Sequence, residues 1–160
     1  MKKASKVRSH EPTSIMATYN LDLQIGFKLR LAMQRHTDIF FKNMMFDLTQ
    51  PQFAALARLF ATGPCSQNHL GRSIALDSAS MVGVVSRLKA RNLVSVTKDK
   101  QDRRRIVIEL TATGRAVIRK AIQKGALANE LTLAPLSVEE RKTLIHFLSK
   151  MTPSDDATSE

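Results

Sequence analysis

Basic side chains crowd the middle of the chain, where their type and spacing could serve recognition of a polyanion. Residues 87–105 contain eight Lys and Arg against two Asp, a net charge of +6 within a chain of 160 residues that carries +11. Such a field attracts DNA, RNA or an acidic membrane surface. On composition alone, a basic surface that merely faces solvent is an open alternative.

The segment that carries this charge has the pattern of a helix followed by a β-hairpin. Asp77 can cap the helix and Asn92 suits a left-handed residue that ends it. Residues 93–97 and 105–110 then alternate apolar and polar side chains on either side of a charged tip, residues 98–102. The apolar positions of the helix repeat every three or four residues, at Met81, Val84, Val85 and Leu88.

A shorter helix that Ser66 can cap precedes this unit, so the sequence predicts a winged helix-turn-helix. In that motif the second helix enters the major groove, and the hairpin follows the backbone or enters the minor groove. Small residues on the outer face of the second helix allow close approach to DNA, although they would also suit a solvent-exposed helix. The predicted DNA-binding residues are Ser78, Ala79, Ser80, Gly83, Ser86, Arg87, Lys89, Lys98, Lys100, Asp102, Arg103, Arg104 and Arg105.

Long helices with apolar stripes flank the winged unit. One stripe begins near Leu21, Thr49 can cap the next helix, and Thr111 can cap a long helix that breaks near Pro135, before a last helix capped by Ser137. The predicted fold class is mostly α (α+β): a winged helix-turn-helix DNA-binding lobe whose N- and C-terminal helices form a dimerisation region. We expect a disordered basic arm (1–14), dimerisation helices (15–48 and 111–152), the DNA-binding lobe (49–110) and a flexible tail (153–160).

Residues 102–114 resemble the wing signature of the MarR family: Asp, any residue, Arg, later an aliphatic residue, then Leu-Thr and Gly. The resemblance extends from about Leu21 to Met151 in the order and length of the elements. It implies an obligate homodimer with interlocked terminal helices that binds a pseudo-palindromic operator in duplex DNA. It also implies that the protein is a repressor, which is the commoner role in this family, and that a small ligand releases it from DNA.

The resemblance implies further that Asp102 holds Arg104 and that Arg104 enters the minor groove. A narrow minor groove concentrates negative potential, which suits a guanidinium held by a carboxylate. The alternative is an exposed ion pair within the turn, worth about 0–1 kcal/mol. The chain departs from the family at Asn92, where Gly is frequent, and at Val96, where Arg is frequent.

An effector in this family commonly lies between the dimer helices and the reading lobe. A cation beside an aromatic ring suits an aromatic carboxylate, and we expect no other cofactor. The alternative role for His36 is that of a hydrogen-bonded histidine in the interface. The alternative for Arg58 and Arg72 is that they face phosphates or water. The candidate effector-binding residues are Arg35, His36, Phe53, Arg58 and Arg72.

Other functional classes find little support in the sequence. We expect no enzyme, because no Gly-rich phosphate loop, paired catalytic carboxylates or nucleophile motif is present. We expect no metal site, because His36, His69 and His146 are scattered with few acids beside them. The lone Cys65 predicts an inert loop thiol rather than a redox switch.

Compartment and partners follow from the same features. No apolar run is long enough to span a membrane and no secretory signal is evident, so we expect a cytoplasmic protein. With aromatic residues at 5%, stacking platforms for single strands are not expected. A non-specific architectural DNA-binding protein, a winged helix used for protein contact, and a redox- or metal-responsive regulator are the alternatives.

Overall fold

The computed structural model describes residues 19–98 and 106–152, which are mostly helical with one small antiparallel sheet. The helices are α1 (Ile25–Asn43), α2 (Gln50–Thr62), α3 (Gln67–Ser73), α4 (Ser78–Ala90), α5 (Ala112–Leu133) and α6 (Val138–Met151). The strands are β1 (Cys65–Ser66), β2 (Val94–Lys98) and β3 (Ile106–Leu110), in the spatial order β1-β3-β2. The predicted mostly helical winged fold is confirmed.

The chain divides into two compact units, residues 1–34 and 35–160. In the described part of the first unit, a 3₁₀ turn at Leu21–Leu23 precedes the start of α1. The side chain of Asn20 caps this turn by accepting a hydrogen bond from the backbone N–H of Asp22 at 2.9 Å. The apolar stripe predicted from Leu21 therefore begins in a 3₁₀ turn, and the α-helix starts at Ile25.

In the second unit, helix ends follow local capping chemistry. Thr49 and Gln52 form the predicted capping box at the start of α2, and Ser137 and Glu140 form the one at the start of α6. Gly63, with φ of 83°, ends α2 in a conformation that glycine adopts without strain. Each of these ends is where the sequence predicts it.

The core of the second unit lies between its helices and the sheet. Side chains from α2, α3, α4, α5 and β3 meet there and exclude water, which is the main source of stability for such a lobe. The largest fully buried side chains are Leu48, Leu56, Leu59, Leu70, Met81, Leu88, Ile108 and Ile118.

The sheet differs from its prediction in two details. Strand β1 was expected as loop, yet Cys65 pairs with Ile108 and Ser66 with Val107 in antiparallel register. Two residues are too few to show an alternating pattern, so the sequence carries no sign of this strand. Strand β2 is displaced by one residue from its prediction, because it includes Lys98 and excludes Leu93.

Several predicted features lie outside the described residues, and they stay predictions. These are the basic arm, the C-terminal tail, and the wing tip with Lys100, Asp102, Arg103, Arg104 and Arg105. In the described ranges, no helix combines the length and the apolar character needed to cross a membrane.

Candidate DNA interface

Helix α4 begins at a strong cap. The Oδ1 atom of Asp77 accepts a hydrogen bond from the backbone N–H of Ser80 at 2.8 Å. Hydrogen bonds from the Ser80 side chain, and then from its backbone N–H, lower the pKa of the Asp77 carboxyl below its usual range. The start of the candidate reading helix is thus fixed by a carboxylate that stays ionised at neutral pH.

The other end of α4 closes on Asn92, whose φ of 54° places it in the left-handed region, as predicted. Its backbone N–H donates to the carbonyl of Lys89, and the N–H of Leu93 donates to the carbonyl of Leu88, each at 2.9 Å. This pair of bonds is a Schellman motif, which satisfies the last carbonyls of the helix. The motif leads the chain directly into the hairpin.

One face of α4 is buried and the opposite face is open. The buried face comprises the four predicted residues Met81, Val84, Val85 and Leu88, none of them more than 6% exposed. The open face carries Ser78, Ala79, Ser80, Ser86, Arg87 and Lys89, all exposed, together with the half-buried Gly83. The structure therefore brings together, on one accessible surface, the small residues and the two cations of α4 that the sequence assigns to DNA.

The guanidinium of Arg87 does not lie where the sequence predicts. A Cβ atom on Gly83 would be 3.3 Å from Nη2 of Arg87, so the guanidinium folds back one turn and covers Gly83. The sequence placed Arg87 at the far end of the helix, near phosphates. The absence of a side chain at Gly83 makes room for this cation at the middle of the open face.

Val82 was missed by the sequence reasoning. Its side chain is 54% exposed on the open face of α4. The signal was available, because Val82 falls outside the three-and-four spacing of the buried apolar positions.

The hairpin is joined to α4 and α5 by short contacts. Strands β2 and β3 pair from Val94 with Leu110 to Lys98 with Ile106, and Lys98 is exposed. The hydroxyl of Thr111 donates to the carbonyl of Asn92 at 2.7 Å, and it also accepts from the N–H of Gly114 at 2.9 Å. The base of the hairpin is thereby held against the end of α4.

The candidate effector residues divide into separate places. The ring nitrogen Nδ1 of His36 lies 2.9 Å from the hydroxyl oxygen of Thr132, and that hydroxyl donates to the carbonyl of Ala128 at 2.7 Å. Since the single hydroxyl proton is engaged with Ala128, Nδ1 of His36 must be the donor, and Nε2 is left as the acceptor of the neutral ring. The guanidinium of Arg35 donates to the carbonyl of Leu131 at 3.0 Å.

Aromatic rings extend this cluster toward α2. Phe40 is buried, and its ring centroid lies 6.2 Å from that of His36 and 5.7 Å from that of Phe53. Phe53 in turn packs on Gly125, where a Cβ would come within 2.5 Å of the ring. Arg35, His36 and Phe53 therefore belong to one cluster, and Phe40 is a member that the sequence reasoning missed despite its i+4 spacing from His36.

Arg58 and Arg72 lie elsewhere in the second unit. Arg58 donates to the carbonyl of Ser73 at 2.8 Å and so ties α2 to the end of α3. Arg72 is exposed and borders a cavity that also contacts Ser78 and Met81. The structure does not bring these two arginines together with His36.

The sensing alternatives gain no support from the described part of the chain. Burial raises the pKa of the Cys65 thiol, which disfavours the reactive thiolate. Over residues 19–98 and 106–152, no three His, Cys, Asp or Glu side chains cluster in a way that could hold a metal ion.

Known proteins are similar to this chain in both sequence and fold. Residues 48–106 match the model of the MarR family. The chain is 40% identical over 139 residues to the HTH-type transcriptional repressor NicR of Pseudomonas putida, covering 86% of this chain and 88% of that protein. It is similar to a solved probable transcriptional regulator from Pseudomonas aeruginosa, with 43% identity, a TM-score of 0.80, and coverage of 83% and 100%.

A second solved structure is that of BpsR from Bordetella bronchiseptica, whose DNA binding is regulated by 6-hydroxynicotinic acid. It is 36% identical, with a TM-score of 0.81 and coverage of 86% of this chain and 99% of that one. The aligned regions include the capped helix-turn-helix, with the open face of α4, and the hairpin. The chain therefore belongs to the MarR family, and it is a DNA-binding transcriptional repressor with a winged-helix fold.

Proposed function

We propose that this repressor binds a pseudo-palindromic operator as a homodimer and is released by a small aromatic carboxylate. The observation that carries the proposal for DNA binding is the open face of α4. This face is lined by small residues, and the helix itself is capped at both ends. Residues 49–110 form the DNA-binding lobe, and residues 15–48 and 111–152 form the dimerisation region. The protein acts in the cytoplasm as a regulator and not as an enzyme.

Contacts with DNA are assigned to α4 and the hairpin. Ser78, Ala79, Ser80, Gly83 and Ser86 let the helix approach base edges closely, since short side chains keep its axis near the groove floor. Basic side chains of α4 and the hairpin are assigned to contacts with base edges and phosphates. They are Arg87, Lys89, Lys98, Lys100, Arg103, Arg104 and Arg105, with Asp102 as the carboxylate that holds Arg104.

The dimer is supported by apolar side chains that one chain leaves uncovered. Phe147 and Met151 on α6 are 55% and 60% exposed, and Leu144 lies on the same helical face. Large apolar patches of this kind mark protein interfaces. A second copy of the chain would cover them, as the interlocked terminal helices of the resemblance imply.

The effector site is assigned to the cluster of Arg35, His36 and Phe53. The lone pair on Nε2 of His36 can accept a hydrogen bond from a ring hydroxyl, and the Arg35 guanidinium can pair with a carboxylate. BpsR responds to 6-hydroxynicotinic acid, an aromatic carboxylate of this type. Arg58 and Arg72 are left out of this assignment because of where they lie.

The DNA part of the proposal is tested by selecting bound sequences from a random duplex pool at moderate salt. Enrichment of an inverted repeat, with half-sites about one helical turn apart, is the expected result. Binding without an enriched sequence would indicate a non-specific architectural protein and overturn the operator assignment.

The effector part is tested by titrating the protein–operator complex with 6-hydroxynicotinate and 4-hydroxybenzoate. We expect one of them to release the DNA. Thr132→Val should lower the affinity for that ligand about tenfold, because the substitution removes the hydrogen bond that orients His36. His146→Gln, which changes an exposed histidine on α6, is the matched control. If no aromatic carboxylate changes operator affinity, the effector assignment is wrong.

A further inference from the structure

Val82 is an apolar residue on the solvent-exposed face of α4. It is 54% exposed, whereas the four other large apolar side chains of α4 are at most 6% exposed. Valine is also a less favourable helix former than alanine. Neither burial nor helix propensity therefore accounts for valine at this position.

Of the four residues that lie three or four positions from Val82, Val85 is buried and the three exposed ones are shorter than valine. One turn toward the N-terminus stand Ser78 and Ala79, and one turn toward the C-terminus stands Ser86; all three are exposed. Residues three and four apart share a helix face. The two methyl groups of Val82 therefore project from a row of small side chains, where a surface that enters the groove would present them first.

The stiffness of valine suits it to a contact made on binding. In a helix one χ1 rotamer of valine is strongly preferred, so its methyl groups lose little freedom when they meet a partner. In the major groove the feature that an apolar group can recognise is the C5-methyl of thymine. The guanidinium of Arg87, folded over Gly83, offers a polar contact beside it.

We propose that Val82 is a specificity-determining residue that reads a thymine methyl group in each operator half-site. This inference rests on the proposed function, because it requires α4 to lie in the major groove. It goes beyond that function by assigning a base and an atom to one side chain. The other bases lack this methyl group. An operator with one of them at the same position loses the apolar contact and is bound more weakly.

The test uses the full-length protein and the operator recovered by selection, with deoxyuridine replacing thymidine at one position at a time. This change removes only the C5-methyl. We expect one position in each half-site at which the replacement weakens binding about fourfold, the value of one buried methyl-sized group. With Val82→Ala, the same replacement should weaken binding less than twofold, while His146→Gln, an exposed position on α6 outside the DNA interface, should retain the fourfold penalty.

The outcomes separate this inference from the proposed function. If selection recovers no operator, the proposed function fails and the inference fails with it. If an operator is recovered but no deoxyuridine position inside a half-site matters, the reading of a methyl group is overturned while the function stands. An equal penalty in wild type and Val82→Ala would show that another residue makes the contact.

Discussion

Gly114, in the first turn of α5, lies directly against the carbonyl oxygen of Leu93, from which a Cβ on Gly114 would be only 1.9 Å away. The backbone N–H of Thr111 donates to the same carbonyl at 3.2 Å. The Thr and Gly of the wing signature therefore hold α5 against the start of the hairpin. This half of the signature serves the fold rather than DNA.

Gly114→Ala should destabilise the protein by about 3 kcal/mol or more, because backbone on both sides must move to admit one methyl group. Unfolding by urea, followed by circular dichroism, measures the loss. A free energy of unfolding equal to that of the wild type would show that the close approach is not essential to the fold.

Gly83→Ala should behave in the opposite way. The new Cβ would meet only the flexible end of Arg87 at 3.3 Å, and alanine is favoured over glycine inside a helix by about 0.5–1 kcal/mol. We expect a free energy of unfolding that is unchanged or higher, together with about tenfold weaker operator binding because the Arg87 guanidinium is displaced. Lower stability of this variant would contradict the assignment of Gly83 to the interface.

The cap of α4 predicts a pH dependence. Because the folded-state pKa of Asp77 lies below its unfolded value of about 3.9, the ionised cap contributes stability above that pH. This contribution is lost as the pH falls through the folded pKa, so the relevant window lies below about pH 4.

Asp77→Asn removes the titration while keeping a good cap. The free energy of unfolding should then fall less steeply between about pH 4 and pH 2 than in the wild type. Glu140→Gln at the start of α6, where the Glu140 pKa is lowered by hydrogen bonds from Ser137, makes the corresponding change at another helix. Identical pH profiles for Asp77→Asn and the wild type would rule out this contribution.

The helix ends could be predicted because capping is local. Each N-cap side chain accepts a hydrogen bond from the backbone N–H three residues ahead, so the local sequence contains both partners. The caps are Thr49, Ser66, Asp77, Thr111 and Ser137. The buried face of α4 follows in the same way from helical spacing. These features locate the reading helix without knowledge of the tertiary structure.

What could not be predicted depends on partners distant in sequence. The engagement of Arg58 by Ser73 and of His36 by Thr132 involves separations of 15 and 96 residues. The fold of Arg87 back over Gly83 is a rotamer choice, which residue spacing does not specify. Candidate charged residues could thus be named from sequence, but their grouping into one effector cluster required the structure.

The dimer assignment is tested by Leu148→Asp. Leu148 lies on the same face of α6 as Phe147 and Met151, so a carboxylate there should be desolvated in the interface and break the dimer. Ser149→Asp, on the opposite face of the same helix, is the matched control and should remain dimeric. Analytical ultracentrifugation distinguishes the states, and a dimeric Leu148→Asp protein would remove α6 from the interface.

The wing is tested by comparing Arg104→Ala with Arg103→Ala. If Arg104 enters the minor groove, as the MarR resemblance implies, its loss should weaken operator binding by about 1–3 kcal/mol. The variant should also no longer distinguish A·T from G·C pairs where the wing lies, since a narrow A·T groove is what attracts a guanidinium. Arg103→Ala, assigned to phosphate, should weaken all duplexes alike and reduce the salt dependence by about one counterion. Equal effects of the two variants on operator and random DNA would mean that the wing supplies charge without reading the groove.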